Sequence, residues 1–185
     1  MTGVAIETAA YARLVALAER RVEIGAEVAT RFFDNSADRV AYVCFEMAQR
    51  FERGARLYVF GRGASASDAH HVAVEFVHPV LVGKRALPAI ALHGDVSASL
   101  ATLARADDIA IGISAAPDAA ADVALVGARA AGMLAIRISG GTASNEELAF
   151  VVPSHDAMLV QEVQETLCHV IWELVHVYLD GSNAQ

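Results

Sequence analysis

Three features of this sequence predict an α/β fold with a parallel sheet and helices on both faces. From residue 55 onward, short apolar runs alternate with stretches patterned for helix. The run Asp108–Ser114 (DIAIGIS) is apolar at nearly every position, as strands buried on both faces are. Arg56–Phe60 leads directly into Gly61-Arg62-Gly63 and then a helical pattern, the strand–turn–helix order of ligand-binding α/β proteins.

The elements follow in order. Residues 5–31 carry Ala, Leu and Val at helical spacing and predict one long helix. Asp34-Asn35-Ser36 breaks it, and Ser36 suits the N-cap of a second helix over Ala37–Arg53, with Gly54 at its C′ position. No strand separates these two helices, so they are expected to cap one side of the sheet or pack on a neighbouring subunit. Arg56–Phe60 is the first strand, and a helix from about Ser67 stops before Pro79. Leu87–Leu92 is the second strand and DIAIGIS the third. Pro117 is placed at N1 of a helix that runs to Ala131, with Gly132 as its stop. Met133–Ser139 and Phe150–Pro153 supply the fourth and fifth strands. A last helix spans Ala157–Leu179 and closes at Gly181. The chain is expected to form a single domain over 1–185, with a helical extension over 1–54 and a sheet-containing core over 55–181.

Composition narrows the function. The chain has 185 residues, 55% hydrophobic and 19% charged, more apolar than one core requires, which predicts buried contacts between subunits. A net charge of −8 with no cluster of Lys or Arg argues against nucleic acid. No basic segment followed by an apolar block marks a signal peptide, and no run of about 18 apolar residues marks a membrane span. A cytoplasmic location is the expectation. Cys44 and Cys168 both fall in helical patterns and read as buried thiols rather than a disulfide.

Two stretches place chemistry-bearing side chains at helical spacing. In GRGASASDAHHVAVEF (61–76), His71 and Glu75 lie four residues apart on one helix face. His and Glu are metal ligands and also general acids and bases. In QEVQETLCH (161–169), Gln161 and His169 lie two turns apart, with Glu162, Gln164 and Glu165 between them. Eight residues rise about 12 Å, so Gln161 and His169 share one ion only if their side chains lean together or two subunits contribute. A lone His/Glu pair is common on solvated helix faces. A glycine turn, likewise, often serves only to reverse the chain. Gly61 and Gly63 would allow a ligand close to the backbone, and Ser65 lies at the helix start, where N–H groups attract anions. Ser114 and Asp95 stand at strand ends, where ligands bind in such sheets.

Taken together, the glycine turn, DAHHVAVEF, RALPAIAL, DVS, DDIAIGIS and QEVQETLCHVIWELV resemble the sedoheptulose-7-phosphate isomerases (phosphoheptose isomerases) of the sugar isomerase (SIS) fold, from about Phe32 to Val177. The resemblance implies a three-layer, flavodoxin-like fold with a five-stranded parallel sheet and two N-terminal helices. It implies a homotetramer or dimer with pockets at subunit interfaces and a sugar phosphate as substrate. It also implies Zn²⁺ held by His71, Glu75, Gln161 and His169. In the implied reaction a carbonyl moves between C1 and C2 through an enediol, with Glu75 the base and His169 its acid/base partner. Gly61, Arg62, Gly63, Ser65, Asp95, Ser114 and Gln161 would bind substrate. Glu75 cannot hold a metal tightly and abstract a proton at one moment, so its two roles alternate or exclude each other.

The chain departs from that pattern on the phosphate side. Ala115, Ala116 and Ala119 stand where the family has hydroxyls, and Pro117-Asp118 stands for Gly-Asn. Arg62 replaces an Asn and could supply charge to a phosphate. Pro79 stands where an Arg is common, and Met158 where a polar residue is. The segment between Asp95 and Asp108 is short, and the chain is expected to pass directly from Leu103 to the next strand. Two alternatives stay open: a family member acting on a different substrate, and a non-catalytic SIS protein with a regulatory or assembly role.

Overall fold

The computed structural model describes residues 8–142 and 148–182. Its elements are α1 (Thr8–Asp34), α2 (Ala37–Glu52), β1 (Leu57–Gly61), α3 (Ser65–Val77), β2 (Ala89–Leu92), α4 (Val96–Leu103), β3 (Ile109–Ser114), α5 (Ala119–Ala130), β4 (Leu134–Gly140), β5 (Ala149–Val152) and α6 (Ala157–Ser182). The five strands form one parallel sheet in the order β2-β1-β3-β4-β5. The expected architecture is therefore present.

Side-chain alternation along the strands builds the three layers. Leu57 and Val59 point to one face with Ile109, Ile111, Ile113, Ile136 and Ile138, and α2, α3 and α6 cover them. Tyr58, Phe60, Ala110 and Ala135 point to the other face, under α4 and α5. Register Val59↔Ile111↔Ile136 stacks β-branched residues across the central strands. Both faces are buried, which explains why DIAIGIS reads as a continuous apolar run rather than an alternating one.

Several boundaries differ from the sequence expectation. The start of the first helix at residue 5 lies outside the described residues, and α1 continues to Asp34. Ser36 occupies the N-cap position of α2 but makes no side-chain cap hydrogen bond. Helix α4 was not expected. Asp95 nucleates it by accepting a hydrogen bond from the Ala98 N–H at 3.0 Å. Pro117 is not the first residue of α5, because the Asp118 carboxylate caps that helix one residue later, accepting from the N–H groups of Ala120 and Ala121. Gly181 does not close α6, which runs through it to Ser182. Gly54 (φ +88°) and Gly132 (φ +89°) end α2 and α5 in the left-handed geometry expected of C′ glycines.

The two N-terminal helices behave differently. Val40, Val43, Met47 and Phe51 of α2 enter the core beside α6. The first half of α1 presents Tyr11, Leu14, Leu17 and Val22 to solvent, and only from Ile24 onward does it join the core through Val28 and Phe32. Among the described residues no helix is long and apolar enough to cross a membrane.

Cys44 and Cys168 are buried and unbridged, and burial pushes both thiols up, Cys44 to about 12. Neither is expected to react with a thiol reagent at pH 8 in the native protein, whereas two thiols per chain should react in denaturant. Rapid native labelling would contradict this burial. Arg53 holds Asp107 in a two-pronged pair at 2.6 and 2.8 Å, and this hydrogen bonding keeps the Asp107 carboxyl below its ordinary value. The stability from that pair is present above the unfolded carboxyl's value and is lost as pH falls through the lower folded value. Asp107→Asn should therefore lower the melting temperature at neutral pH and converge on the parent in acid, which a pH series of thermal melts would measure.

Candidate functional site

The site is assembled where α3 and α6 run side by side. Asp68, His71 and Glu75 occupy one face of α3, at spacings of three and four residues. Gln161, Glu165 and His169 occupy one face of α6, at spacings of four. The two stripes meet as a ladder. Gln161 Nε2 donates to Asp68 Oδ1 at 2.7 Å. Glu165 Oε2 lies 3.1 Å from His71 Nδ1. His169 Nε2 lies 3.3 Å from Glu75 Oε1, and His71 Nε2 reaches that same oxygen at 3.2 Å.

His71, Glu75 and His169 thus turn one atom each toward a common point, all within 4.8 Å of one another. Ligands about 2.0–2.1 Å from an ion in tetrahedral array lie roughly 3.3–3.4 Å apart. The two distances shared by Glu75 Oε1 are close to that spacing. Two imidazoles and a carboxylate are also a zinc-type donor set, and three protein ligands with a further position are the pattern of catalytic zinc. The residues present fit a divalent metal. Gln161 is engaged one rung away, with the buried Asp68, rather than by a hydrogen bond to the trio.

The backbone behind Glu75 is secured by a device that periodicity does not reveal. The helical partner of the Glu75 carbonyl would be the N–H of residue 79, but Pro79 has none. Trp172 Nε1–H supplies the bond instead, donating to Glu75 O at 3.0 Å. The Trp172 ring in turn packs 4.3 Å from the buried His176, whose Nε2 lies 3.0 Å from Arg85 O in the loop before β2. Glu75 is accordingly held from α6 at both its side chain and its carbonyl.

The other expected site residues border two cavities at the C-terminal edge of the sheet. Strand order changes direction between β1 and β3, and the crevice there is where ligands bind in doubly wound sheets. A cavity of ≈ 450 Å³ in that crevice is lined by Arg62, Ser65, Ser114 and Asp118. One of ≈ 520 Å³ lies beside it, between the ends of β1 and β2, lined by Gly61, Arg62, Gly63, His93 and Asp95. Gly61 is required by packing, since a Cβ there would collide with the Ser65 carbonyl and lie 2.9 Å from Ile113 O. Gly63 adopts φ +59°, which turns the chain into α3. Ser65 is buried, and Gln164 donates to the Ser114 carbonyl at 2.8 Å, tying α6 to the end of β3. The metal-type trio lines neither cavity.

On the side where the sequence leads one to expect a phosphate, a carboxylate lies at the helix start. The first N–H groups of α5, which face the crevice, are already bonded to the Asp118 carboxylate at 3.0 and 3.3 Å. Arg62 extends toward the same carboxylate, with Nη1 3.7 Å from Asp118 Oδ1, and is otherwise largely exposed.

Glu165, Trp172 and Gln164 are contributors that the sequence did not assign. Glu165 was detectable in principle, because it is the middle member of the i, i+4, i+8 stripe that contains Gln161 and His169. Burial pushes its carboxyl above the ordinary value. Trp172 had only an indirect signal, the missing N–H at Pro79.

Comparison with known proteins agrees with this fold. The family profile described as SIS domain matches residues 23–143. The phosphoheptose isomerase of Roseiflexus sp. is 33% identical over 175 residues, covering 83% of this chain and 89% of that protein. That of Pelobacter propionicus is 34% identical over 158 residues, covering 74% and 83%. Among solved structures, a phosphoheptose isomerase from Francisella tularensis superposes with a TM-score of 0.77 at 20% identity, covering 88% of this chain and 97% of that one. One from Neisseria gonorrhoeae gives 0.76 at 20% identity, covering 88% and 98%.

Trp172→Phe keeps an aromatic ring but leaves the Glu75 carbonyl unpaired. It should cost about 1–3 kcal/mol in urea unfolding, the penalty of a buried acceptor without a donor. A change within experimental error would show that water or a neighbour replaces the indole.

Proposed function

Because the chain belongs to the phosphoheptose isomerase family of SIS-domain proteins, we propose that it is a metal-assisted aldose–ketose isomerase acting on a sedoheptulose 7-phosphate-like sugar phosphate. The observation that carries this reading is the convergence of His71 Nε2, His169 Nε2 and Glu75 Oε1 on one point. In this reading His71, Glu75 and His169 hold Zn²⁺, with Gln161 able to add its amide oxygen while its nitrogen stays on Asp68. The ion would polarise the C1 and C2 oxygens of the sugar and so make the intervening C–H more acidic.

The chain's own groups then move the proton. Glu75 Oε1 is committed to the two imidazoles, so Oε2 of the same carboxylate is the base that takes the proton from the hydroxyl-bearing carbon and returns it to the neighbouring carbon. This division between two oxygens reconciles the two roles of Glu75. His169 turns Nε2 to the convergence point, so only its Nδ1 is left to act as the acid/base that shuttles a proton between the sugar oxygens as the enediol forms and collapses. Trp172 and the ladder below hold Glu75 so that its free energy of reorientation is settled before the sugar arrives. Gly61, Arg62, Gly63, Ser65, Asp95 and Ser114 would contact the sugar in the sheet-edge cavities. The trio and the cavities do not merge within one chain, which supports a homo-oligomer, a tetramer or dimer, with sites completed across interfaces; a cytoplasmic location belongs to the same proposal. The exposed Tyr11, Leu14, Leu17 and Val22 of α1 offer apolar surface for such contacts.

A second reading is favoured by one observation: the Asp118 carboxylate already occupies the N–H groups at the start of α5. Its negative charge would repel a phosphate placed there, which suits a family member whose substrate ends in a hydroxyl.

Glu75→Gln should lower isomerisation of sedoheptulose 7-phosphate by about 10²–10⁴-fold, the usual contribution of a general base, followed by NMR of the sugar with added Zn²⁺. Unchanged turnover would remove Glu75 as the base. Paired assays on the phosphorylated and plain ketose separate the two readings: faster turnover of the plain sugar supports the second. In that case Asp118→Ser should shift preference back toward the phosphate ester.

A further inference from the structure

We infer that Glu165 is a positioning residue for His71: by accepting its Nδ1–H, it fixes the imidazole tautomer that turns an Nε2 lone pair toward Glu75 and His169. The inference rests on the metal reading above and adds to it a residue outside the converging trio.

The geometry carries the argument. Glu165 Oε2 is 3.1 Å from His71 Nδ1, on the side of the ring away from Glu75. An ionised carboxylate only accepts hydrogen bonds, so Nδ1 can meet Glu165 only as an N–H donor, whereas a cation between Nε2 and Glu75 would let Nε2 face that second carboxylate without a proton. A neutral imidazole has one N–H, and its other nitrogen is then the lone-pair donor. Here that nitrogen is Nε2, the atom that joins Glu75 Oε1 and His169 Nε2. Without Glu165, His71 could take either tautomer, and its ring, on a side chain about half exposed, could rotate about χ2.

Placement on the helix points the same way. Glu165 lies between Val163, Gln164, Leu167 and Cys168, all buried. Its own side chain is only 23% exposed. An unpaired carboxylate in such a place costs free energy, and His71 Nδ1 is its partner on the facing helix. A carboxylate–histidine pair of this kind orients metal-binding imidazoles and raises their basicity. Glu75 and Glu165 therefore hold opposite edges of one ring: Glu75 shares the convergence point, and Glu165 sets the ring that reaches it.

The test uses the full chain as Glu165→Leu, Glu165→Gln and, as a control, His169→Ala. Zn²⁺ affinity is measured by competition with a chromogenic chelator, and the His71 tautomer by long-range ¹H–¹⁵N NMR of the zinc-loaded protein. The parent should show the Nδ1–H form of His71. Glu165→Leu, which suits the apolar surroundings, should weaken Zn²⁺ binding by about 10–100-fold and abolish the uniform Nδ1–H signature. Glu165→Gln keeps an acceptor oxygen, so it should retain the signature and lose less affinity than the Leu variant. A merely structural role would leave the tautomer untouched and give no such rescue. Affinity and tautomer unchanged in both Glu165 variants, while His169→Ala abolishes binding, would overturn this inference and spare the metal reading. No stoichiometric Zn²⁺ binding by the parent would overturn both.

Discussion

The docking of α6 along α3 is the constraint on which the rest of the site depends. Both helices lie on the same face of the sheet, pressed there by Val72 and Phe76 from one and Val163, Leu167 and Ile171 from the other. That packing brings two polar stripes into register. Once in contact, Gln161, Glu165 and His169 meet Asp68, His71 and Glu75 rung by rung. Polar groups at such a seam are costly if left unpaired, so each rung is satisfied and fixes the next. Trp172 completes the seam at its upper end by bonding the one carbonyl that Pro79 leaves without a helical partner.

The sheet decides what lies next to this seam. With strand order β2-β1-β3-β4-β5, the order in which strands are added reverses between the parallel β1 and β3, and the loops after those strands diverge to leave a crevice. Gly61 brings the turn after β1 close against Ser65 and β3. The crevice is therefore built as in ligand-binding α/β proteins, yet its helix N-terminus is satisfied internally by Asp118. The two places thus differ in character: the trio gathers a metal-type donor set, and the crevice carries a carboxylate bonded to the first N–H groups of α5.

Much of the fold was legible in the residues. The run DIAIGIS, the glycine stops at Gly54 and Gly132, and the strand–turn–helix at residues 57–77 all correspond to observed elements. The misses share a cause. Helix α4 is short and begins at an exposed Asp whose cap role depends on local backbone geometry. The start of α5 was misplaced because Pro117 is compatible with N1, but the Asp118 carboxylate reaches two N–H groups and wins the boundary. Gly181 reads as a stop, yet a single glycine costs only about 1 kcal/mol in a helix, and α6 continues past it.

The sequence by itself determined the layer architecture, through apolar periodicity, and the identity of the pairs His71/Glu75 and Gln161/His169, through spacing along single helices. Helical spacing is a local property, so it specifies which side chains share a face and nothing about what that face meets. The family resemblance already implied that His169 joins His71 and Glu75; only the tertiary structure decided that Gln161 pairs with Asp68, that Glu165 backs the His71 ring, and that Trp172 replaces the donor missing at Pro79. Those contacts join residues about ninety positions apart, and their partners are selected by how two helices pack on one sheet.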